Sequence, residues 1–294
     1  MPELPEVENA RRCLIKAELP RRAFTKADIG WAKSIKTPDL EEFVLGLRGG
    51  VVQEVHRRGK YILLPLVNGE SETRTLILHL GMSGGLSVQP STNPMHPLVR
   101  HTFSLDDGRE LRFEDGRKFG KIWLVSDPSE VLPPLSPEPL EGGLTPQVLA
   151  QSLQGRKAPI KALLLEQSIV AGMGNLYADE SLFLAGINPT RSASSLTGEE
   201  IDRLQRCIVD ALSASIAKYE TARDESWPDP PRALTGWTHP RTEGAPARPD
   251  QPTRLLRLRP VAAAVRRLCR DRAGKRREPV QPRTELGRAY GRLV

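Results

Sequence analysis

Residues 60–80 read KYILLPLVNGESETRTLILHL, two apolar runs separated by a polar segment that begins with Asn-Gly. This pattern is typical of two antiparallel strands joined by a hairpin. Four more β-rich runs surround it, at residues 51–56, 99–105, 109–115 and 119–125, and turn sequences such as GMSGG and DDG lie between them. Six short strands in one region predict an antiparallel β-sandwich or a flattened barrel.

Helical periodicity flanks the strands on both sides. Before them, apolar residues recur at helical spacing from Leu4 to Ala17 and predict an amphipathic N-terminal helix. After them, the Pro- and Gly-rich segment at residues 131–146 can continue neither a strand nor a helix, which predicts a domain linker. Further helical patterns cover residues 145–154, 157–168, 175–185 and 196–218.

The length of 294 residues allows two domains with separate cores. We expect an α+β protein with three parts: an N-terminal helix with an antiparallel β-sandwich over residues 1–135, a helical domain over residues 136–220, and an irregular basic tail over residues 221–294. No apolar run approaches the roughly 20 residues that span a bilayer, and the first residues do not resemble a signal peptide. We therefore expect no membrane partner and a cytoplasmic location, associated with the nucleoid if the source is bacterial.

The net charge of +7 comes from the tail. Residues 221–294 hold 17 of the 43 Lys and Arg residues and 8 of the 36 Asp and Glu residues, so residues 1–220 are slightly acidic. Bulk charge therefore does not indicate nucleic-acid binding by the folded part. The Arg- and Pro-rich composition of the tail has two explanations, a basic disordered segment or translation out of frame.

The first eight residues, MPELPEVE, contain a proline that becomes N-terminal when Met1 is removed. Its secondary amine can attack an electrophilic sugar carbon and form an iminium, which is covalent catalysis of the Schiff-base type. A simpler interpretation is that Pro2 and Pro5 begin a helix and that Glu3 and Glu6 complement the helix dipole.

Five motifs in order distinguish these interpretations: MPELPEVE, RRGKYILL, HLGMSG, FEDGRKFG and SIVAGMGNLYADESLF. With them the chain resembles the formamidopyrimidine-DNA glycosylase family from residue 1 to about residue 218. The ELPEV form of the N-terminus is similar to the branch that acts on oxidised purines. The related endonuclease VIII branch typically begins with EGPE, and its oxidised-pyrimidine activity is the alternative.

The resemblance implies a catalytic group of four residues. Pro2 matches the nucleophile that displaces the base at C1′, and Glu3 matches the acid/base residue beside it. Glu6 matches a second acidic residue with a supporting role. Lys60 matches a hairpin-turn lysine that binds the phosphate next to the lesion.

The resemblance also implies a set of DNA-binding residues. Met82 matches a side chain that fills the gap left by the extruded nucleotide, with Arg117 and Phe119 completing this wedge. Arg117 would read the opposite base, expected to be cytosine. Because Gly172 and Gly174 precede a helix start, we expect outward-facing amides there that bind phosphate. The resemblance identifies this segment as the helix–two-turn–helix motif of a DNA-binding domain over residues 136–220. The remaining implied DNA-binding residues are His79 beside Met82, Lys161 and Asn175 on the DNA backbone, and Glu180 at the active-site face.

The C-terminal part departs from the family pattern. Family members usually end in a CxxC…CxxC zinc finger, whereas residues 221–294 contain only His239 and Cys269 as such ligands, too few for a tetrahedral site. The lesion-covering loop after the last helix, often GGTT-like, is replaced by KYETARDESW. We therefore expect no metal and no cofactor.

The resemblance implies a monomeric base-excision repair enzyme whose partner is damaged double-stranded DNA. It would remove 8-oxoguanine and formamidopyrimidines and then cleave the abasic strand by β,δ-elimination through a Schiff base at Pro2. Because the C-terminal clamp is incomplete, a damaged-DNA-binding protein with impaired catalysis is a further alternative.

Overall fold

The structure is a computed structural model that describes residues 1–69 and 73–221, with side chains through Tyr219. The predicted tail over residues 221–294 lies outside the described residues, apart from the backbone of Thr221. The predicted domain boundaries at residues 135 and 220 remain predictions.

Two β-sheets form the N-terminal part, which confirms the predicted α+β sandwich. Neighbouring strands are antiparallel except β2 and β10, which pair in parallel. In spatial order, the first sheet contains β1 (Phe24–Ile29), β8 (Val99–Leu105), β9 (Arg109–Glu114) and β7 (Gly85–Pro90). The second contains β2 (Ile35–Thr37), β10 (Lys121–Val125), β6 (Thr73–His79), β5 (Tyr61–Val67) and β3 (Val51–Val52), and β4 (His56–Arg58) also pairs with β5. The single strand predicted over residues 51–56 is wrong, because the chain leaves the sheet after Val52 and rejoins it at His56.

Six α-helices occur among the described residues. Two belong to the N-terminal part and four to the helical part that follows residue 131. They are α1 (Leu4–Lys16), α2 (Leu40–Leu47), α3 (Pro146–Leu153), α4 (Ile160–Leu164), α5 (Asn175–Ala185) and α6 (Gly198–Thr221). Within the described ranges, none of these helices has the length and apolar character needed to cross a membrane.

The buried apolar side chains form two clusters. One lies in the sandwich and includes Phe24, Phe103 and Phe113. The other lies among α3–α6, but it also contains Leu4 from the first turn of α1. The start of the chain therefore packs into the helical cluster while the rest of α1 packs against the sandwich. This places the N-terminal residues at the junction of the two cores.

The segment at residues 131–146 does more than connect the two parts. Two of its polar side chains, Ser136 and Glu138, are buried. Ser136 Oγ accepts a hydrogen bond from the Ala171 amide at 2.8 Å, and Glu138 accepts one from the Gly59 amide at 2.7 Å. The segment thus forms hydrogen bonds both to a turn of the sandwich and to the loop before α5.

Candidate active site

The carboxylate of Glu3 lies on the amide end of helix α5. Its Oε1 accepts a hydrogen bond from the Leu176 amide at 3.0 Å, and its Oε2 accepts one from the Tyr177 amide at 3.3 Å. Glu3 is only 3% exposed. Burial raises the pKa of Glu3, while the Leu176 amide and the charge of Lys60 partly offset that rise. The Glu3 carboxyl group therefore keeps its proton to a higher pH than an exposed glutamate does.

The two glycines before α5 leave room for the start of the chain, where Glu3 and Leu4 pack closely against them. A Cβ on Gly174 would fall on the carboxyl group of Glu3, and one on Gly172 would lie 2.6 Å from the Leu4 Cβ. Gly172 also has a φ of +79°, which favours glycine. The expectation of outward-facing, phosphate-binding amides is therefore wrong for this end of α5, because Glu3 occupies the amides of Leu176 and Tyr177.

Glu6 joins three helices below Glu3. Its Oε2 accepts a hydrogen bond from the Glu3 amide at 2.8 Å. Its Oε1 accepts from the hydroxyl of Tyr177 on α5 at 2.7 Å and from that of Tyr219 on α6 at 3.0 Å. Glu6 is 5% exposed, so these donors satisfy a carboxylate that water hardly reaches. We call Glu3, Glu6 and the first turn of α5 the floor of the site.

Pro2 adjoins the floor as the residue before Glu3. It is buried in the chain that still carries Met1, whereas Met1 itself is 51% exposed. Removal of Met1 would free the Pro2 nitrogen at the edge of the buried carboxylates. Pro2, Glu3 and Glu6 therefore lie at the same end of α1, where Glu6 also binds the Glu3 amide.

Lys60 faces the same carboxylates from the turn between β4 and β5. Burial lowers the pKa of Lys60, and the negative charges of Glu3 and Glu6 oppose that effect. The turn is held by Glu138, which accepts hydrogen bonds from the Gly59 amide at 2.7 Å and from Arg57 and Arg58 at 2.7 and 3.0 Å. The fourth predicted catalytic residue thus lies at the same site, on a turn fixed by buried ion pairs.

His79 ends strand β6 next to this turn. Its Nδ1 accepts a hydrogen bond from the Gly81 amide at 3.2 Å, and its ring lies 5.0 Å from that of Tyr61. Burial, followed by the charges of Lys121 and Lys60, lowers the pKa of His79 to about 4. The neutral imidazole therefore carries its proton on Nε2 and can donate it to a ligand.

The wedge, which we define as Met82, Arg117 and Phe119, stands out from the sandwich. Met82 is 41% exposed and Phe119 is 50% exposed, and the Arg117 guanidinium lies 5.2 Å from the centre of the Phe119 ring. Gly81 presses against the backbone of Phe119, since a Cβ there would lie 2.6 Å from the Phe119 carbonyl carbon. The two loops that carry the wedge are therefore in direct backbone contact.

Asp115 holds both wedge loops from below, and the sequence analysis missed it. This residue is 1% exposed. It accepts hydrogen bonds from Ser83 Oγ at 3.1 Å, from the Arg117 amide at 3.1 Å and from the Gly120 amide at 2.7 Å. An aspartate before a Gly-containing turn is a signal for such an organising role.

The other predicted DNA-binding residues lie in the helical part, away from the wedge in sequence. Lys161 forms an ion pair with Asp179 of α5 at 2.9 Å. Asn175 is exposed as the first residue of α5, whose N-cap is Gly174. Glu180 lies in the second turn of that helix and is partly buried. All three residues therefore depend on α5 for their position.

Metal ligands do not gather near this site. Among residues 1–69 and 73–221, no group of three or more His, Cys, Asp and Glu side chains is arranged to hold a metal ion. The two tail residues that could act as ligands, His239 and Cys269, lie outside the described residues.

Two family models match the chain: the formamidopyrimidine-DNA glycosylase N-terminal domain over residues 1–122 and the formamidopyrimidine-DNA glycosylase H2TH domain over residues 135–226. The β-sandwich followed by an H2TH domain, together with these two matches, places the protein in the class of DNA glycosylases. Sequence relatives indicate which family within this class the chain resembles. The formamidopyrimidine-DNA glycosylase of Symbiobacterium thermophilum is 46% identical over 228 residues, covering 75% of this chain and 72% of the relative. That of Pelotomaculum thermopropionicum is 44% identical, covering 76% and 81%.

Solved structures agree with the sequence relatives. The Lactococcus lactis Fpg (MutM) in complex with DNA containing Fapy-dG matches with a TM-score of 0.67 and 30% identity, covering 73% of this chain and 80% of that one. The MutM (Fpg) protein of Thermus thermophilus matches with a TM-score of 0.64 and 36% identity, covering 74% and 76%. The chain belongs to the formamidopyrimidine-DNA glycosylase family.

Proposed function

We propose that this chain excises oxidised purines from duplex DNA and then cleaves the abasic strand as a lyase, with Pro2 as nucleophile. The observation that carries this proposal is the placement of Glu3. Its buried carboxylate is bonded to two amides of α5 and adjoins the residue whose amine would react. A nucleophile beside a carboxyl group of raised pKa is the arrangement that acid/base-assisted covalent catalysis requires.

The proposed reaction begins when the Pro2 nitrogen attacks C1′ and the bond from C1′ to the base breaks; the electron pair goes to the base, together with the proton that the Pro2 nitrogen loses. Next, the bond from C1′ to O4′ breaks, O4′ takes a proton from the Glu3 carboxyl group, and C1′ and nitrogen form an iminium. The Glu3 carboxylate then removes a proton from C2′, and elimination of the 3′ phosphate cleaves the strand. A second elimination releases the 5′ phosphate.

The surfaces around the floor support a damaged-DNA substrate. Lys60 adjoins Glu3 and Glu6 on a fixed turn, where its ammonium group can bind the phosphate next to the lesion. The exposed Met82 and Phe119 can fill the space of an extruded nucleotide, and Arg117 can donate to the unpaired base, for which cytosine has the matching acceptors. His79 Nε2, Lys161 and Asn175 would contact the DNA backbone, and Glu180 would lie on the active-site side of α5.

Oxidised purines are the substrate class we favour. The N-terminus carries the ELPEV form, and the matched Lactococcus lactis protein is complexed with DNA that contains Fapy-dG. We further propose that the enzyme acts as a monomer on DNA in the cytoplasm or nucleoid. We assign it no zinc or other cofactor, because His239 and Cys269 do not supply four ligands.

Single-turnover cleavage tests the proposal. The full chain should nick a duplex containing 8-oxoguanine opposite cytosine, and borohydride should trap a covalent adduct. Faster cleavage of thymine glycol would instead favour the oxidised-pyrimidine activity. Tight binding of the abasic duplex without nicking or adduct would favour a damage-binding protein and overturn the proposed catalysis.

A further inference from the structure

Helix α6 continues to Thr221, through the position where the family resemblance leads one to expect a lesion-covering loop. Tyr219, in its last turn, directs its hydroxyl to Glu6 Oε1 at 3.0 Å. Tyr177 donates to the same oxygen at 2.7 Å, and its hydroxyl also bonds Ser215 Oγ at 2.6 Å. The C-terminal half of α6 is therefore attached to the floor of the site by the Tyr219 phenol and by Ser215.

Glu6 in turn acts close to the nucleophile. Its Oε2 accepts a hydrogen bond at 2.8 Å from the Glu3 amide. The nitrogen of that amide is joined by the peptide bond to the carbonyl carbon of Pro2. Covalent geometry keeps successive backbone nitrogens within about 3.7 Å, so the carboxylate lies no more than roughly 6.5 Å from the Pro2 nitrogen. A charge at that distance influences the protonation of an amine.

We propose that Tyr219 is a positioning residue: by holding Glu6 Oε1 it fixes the carboxylate relative to the Pro2 nitrogen and weakens the negative field exerted there. This inference rests on the proposed function in one respect only, the identity of Pro2 as the reacting amine. It explains why a bulky phenol at the end of α6 is directed inward to a buried carboxylate. Burial and then the charge of Glu6 raise the pKa of Tyr219 well above its ordinary value, so its hydroxyl remains a donor throughout the working range.

Among the residues that the structure describes, four titratable groups interact with Glu6. Glu3 comes from the start of α1, Lys60 from the turn between β4 and β5, Tyr177 from α5 and Tyr219 from α6. The carboxylates favour a protonated Pro2 amine, and Lys60 disfavours it. The two phenols moderate the effect of Glu6, because hydrogen bonds to a carboxylate delocalise its charge. Loss of the Tyr219 hydroxyl should therefore raise the pKa of the Pro2 amine.

The experiment measures that pKa directly in the full chain without Met1, by the ¹³C NMR titration of labelled proline, in which only the N-terminal residue has an amine. We expect Tyr219→Phe to raise it by about 0.3 to 0.5 pH unit, a fraction of the effect of one full charge at this distance. Tyr177→Phe should shift it in the same direction. Ser213→Ala removes an exposed hydroxyl from the same helix and should leave it unchanged.

The kinetic counterpart is the rate of borohydride trapping against pH. Its acidic limb should move upward in Tyr219→Phe, so that trapping at pH 6 falls about two- to threefold while trapping at pH 9 is retained. An unchanged or lowered amine pKa in Tyr219→Phe would overturn the role of Tyr219, whatever the result for Tyr177→Phe. If the wild-type chain formed no adduct, the proposed reaction would fail, but the titration would still decide whether Tyr219 controls the amine.

Discussion

The floor and the wedge differ in burial and in the chemistry of their side chains. The floor is buried and polar, and its two carboxylates are bonded to backbone amides and phenols from three helices. The wedge is exposed, and its loops are held by a backbone contact at Gly81 and by the buried Asp115, while the Arg117 guanidinium lies against the Phe119 ring. A reacting group needs a fixed position and a tuned pKa, whereas a group that enters a base stack must be free of partners before DNA arrives.

Gly174→Ala should have the largest effect, because it breaks the floor. The added Cβ would displace the Glu3 carboxylate from the amides of Leu176 and Tyr177. We expect at least about a 100-fold loss of single-turnover cleavage, as for other displacements of a catalytic group. Gly198→Ala is the matched control, since nothing lies within 4 Å of its Cβ position. Equal rates in the two variants would show that the placement of Glu3 is not needed.

The second prediction concerns Glu8, whose ion pair with Arg57 connects α1 to the strand before the Lys60 turn. Burial alone would raise its pKa, but hydrogen bonds from Arg11, Arg12 and Arg57 outweigh burial and hold the pKa at about 2, below the ordinary 4.5. Because the folded-state pKa is depressed, the stabilisation is present above about pH 4.5 and is lost as pH falls toward 2. Linkage gives about 2 to 3 kcal/mol over this window.

Thermal unfolding of the wild type and of Glu8→Gln between pH 6 and pH 2.5 measures this contribution. The variant should be less stable at pH 6 and should lose less stability on acidification. Glu41→Gln, at an exposed position of α2, should follow the wild type. Parallel curves for wild type and Glu8→Gln would contradict the assigned ion pairs.

Asp115→Asn should affect the wedge but spare the floor. Asn keeps one oxygen and replaces the other with a nitrogen that cannot accept, so either the Arg117 amide, bound to Oδ1, or the Gly120 amide, bound to Oδ2, loses its acceptor. A buried donor left unpaired costs about 1 to 3 kcal/mol. We expect about a tenfold loss of preference for cytosine opposite the lesion, with borohydride trapping on a pre-formed abasic site nearly retained. Asp127→Asn, which alters an exposed turn, is the control. Equal loss in both assays would mean that floor and wedge are not separable.

The smallest expected effect concerns Lys161, which contributes to neither region. If it contacts phosphate, Lys161→Gln should reduce the slope of log binding constant against log salt by about 1. Asp179→Asn should tighten binding a few-fold, because the lysine loses its competing carboxylate. Asp28→Asn removes a carboxylate from a comparable pair with Lys26 and controls for net charge. Equal tightening in both variants would exclude a specific contact.

The sequence predicted central strands better than edge strands. The bounds of β8 and α5 agree with their apolar patterns, whereas β1, β2 and β7 were missed. All three missed strands lie at the edges of their sheets. Edge strands carry fewer apolar residues, and in β1 only Phe24 is buried, so the hydrophobic pattern alone does not reveal them.

The candidate site was predictable from motifs but its connections were not. MPELPEVE and GMGN were both recognised, yet no local rule indicates that Glu3 lies on the amides of Leu176 and Tyr177, more than 170 positions later. The expected phosphate site at α5 was wrong for this reason. Glu138 was likewise overlooked, because a Pro-rich linker gives no signal for a buried carboxylate.

Peptide mapping of the trapped complex tests the central claim most directly. After borohydride reduction with an 8-oxoguanine:cytosine duplex and nuclease digestion, the sugar remnant should be found on the N-terminal peptide that begins at Pro2, and Gly174→Ala should reduce its yield. A remnant on Lys60 or another lysine, with an unmodified N-terminal peptide, would contradict the assignment of Pro2, next to Glu3, as the reacting group.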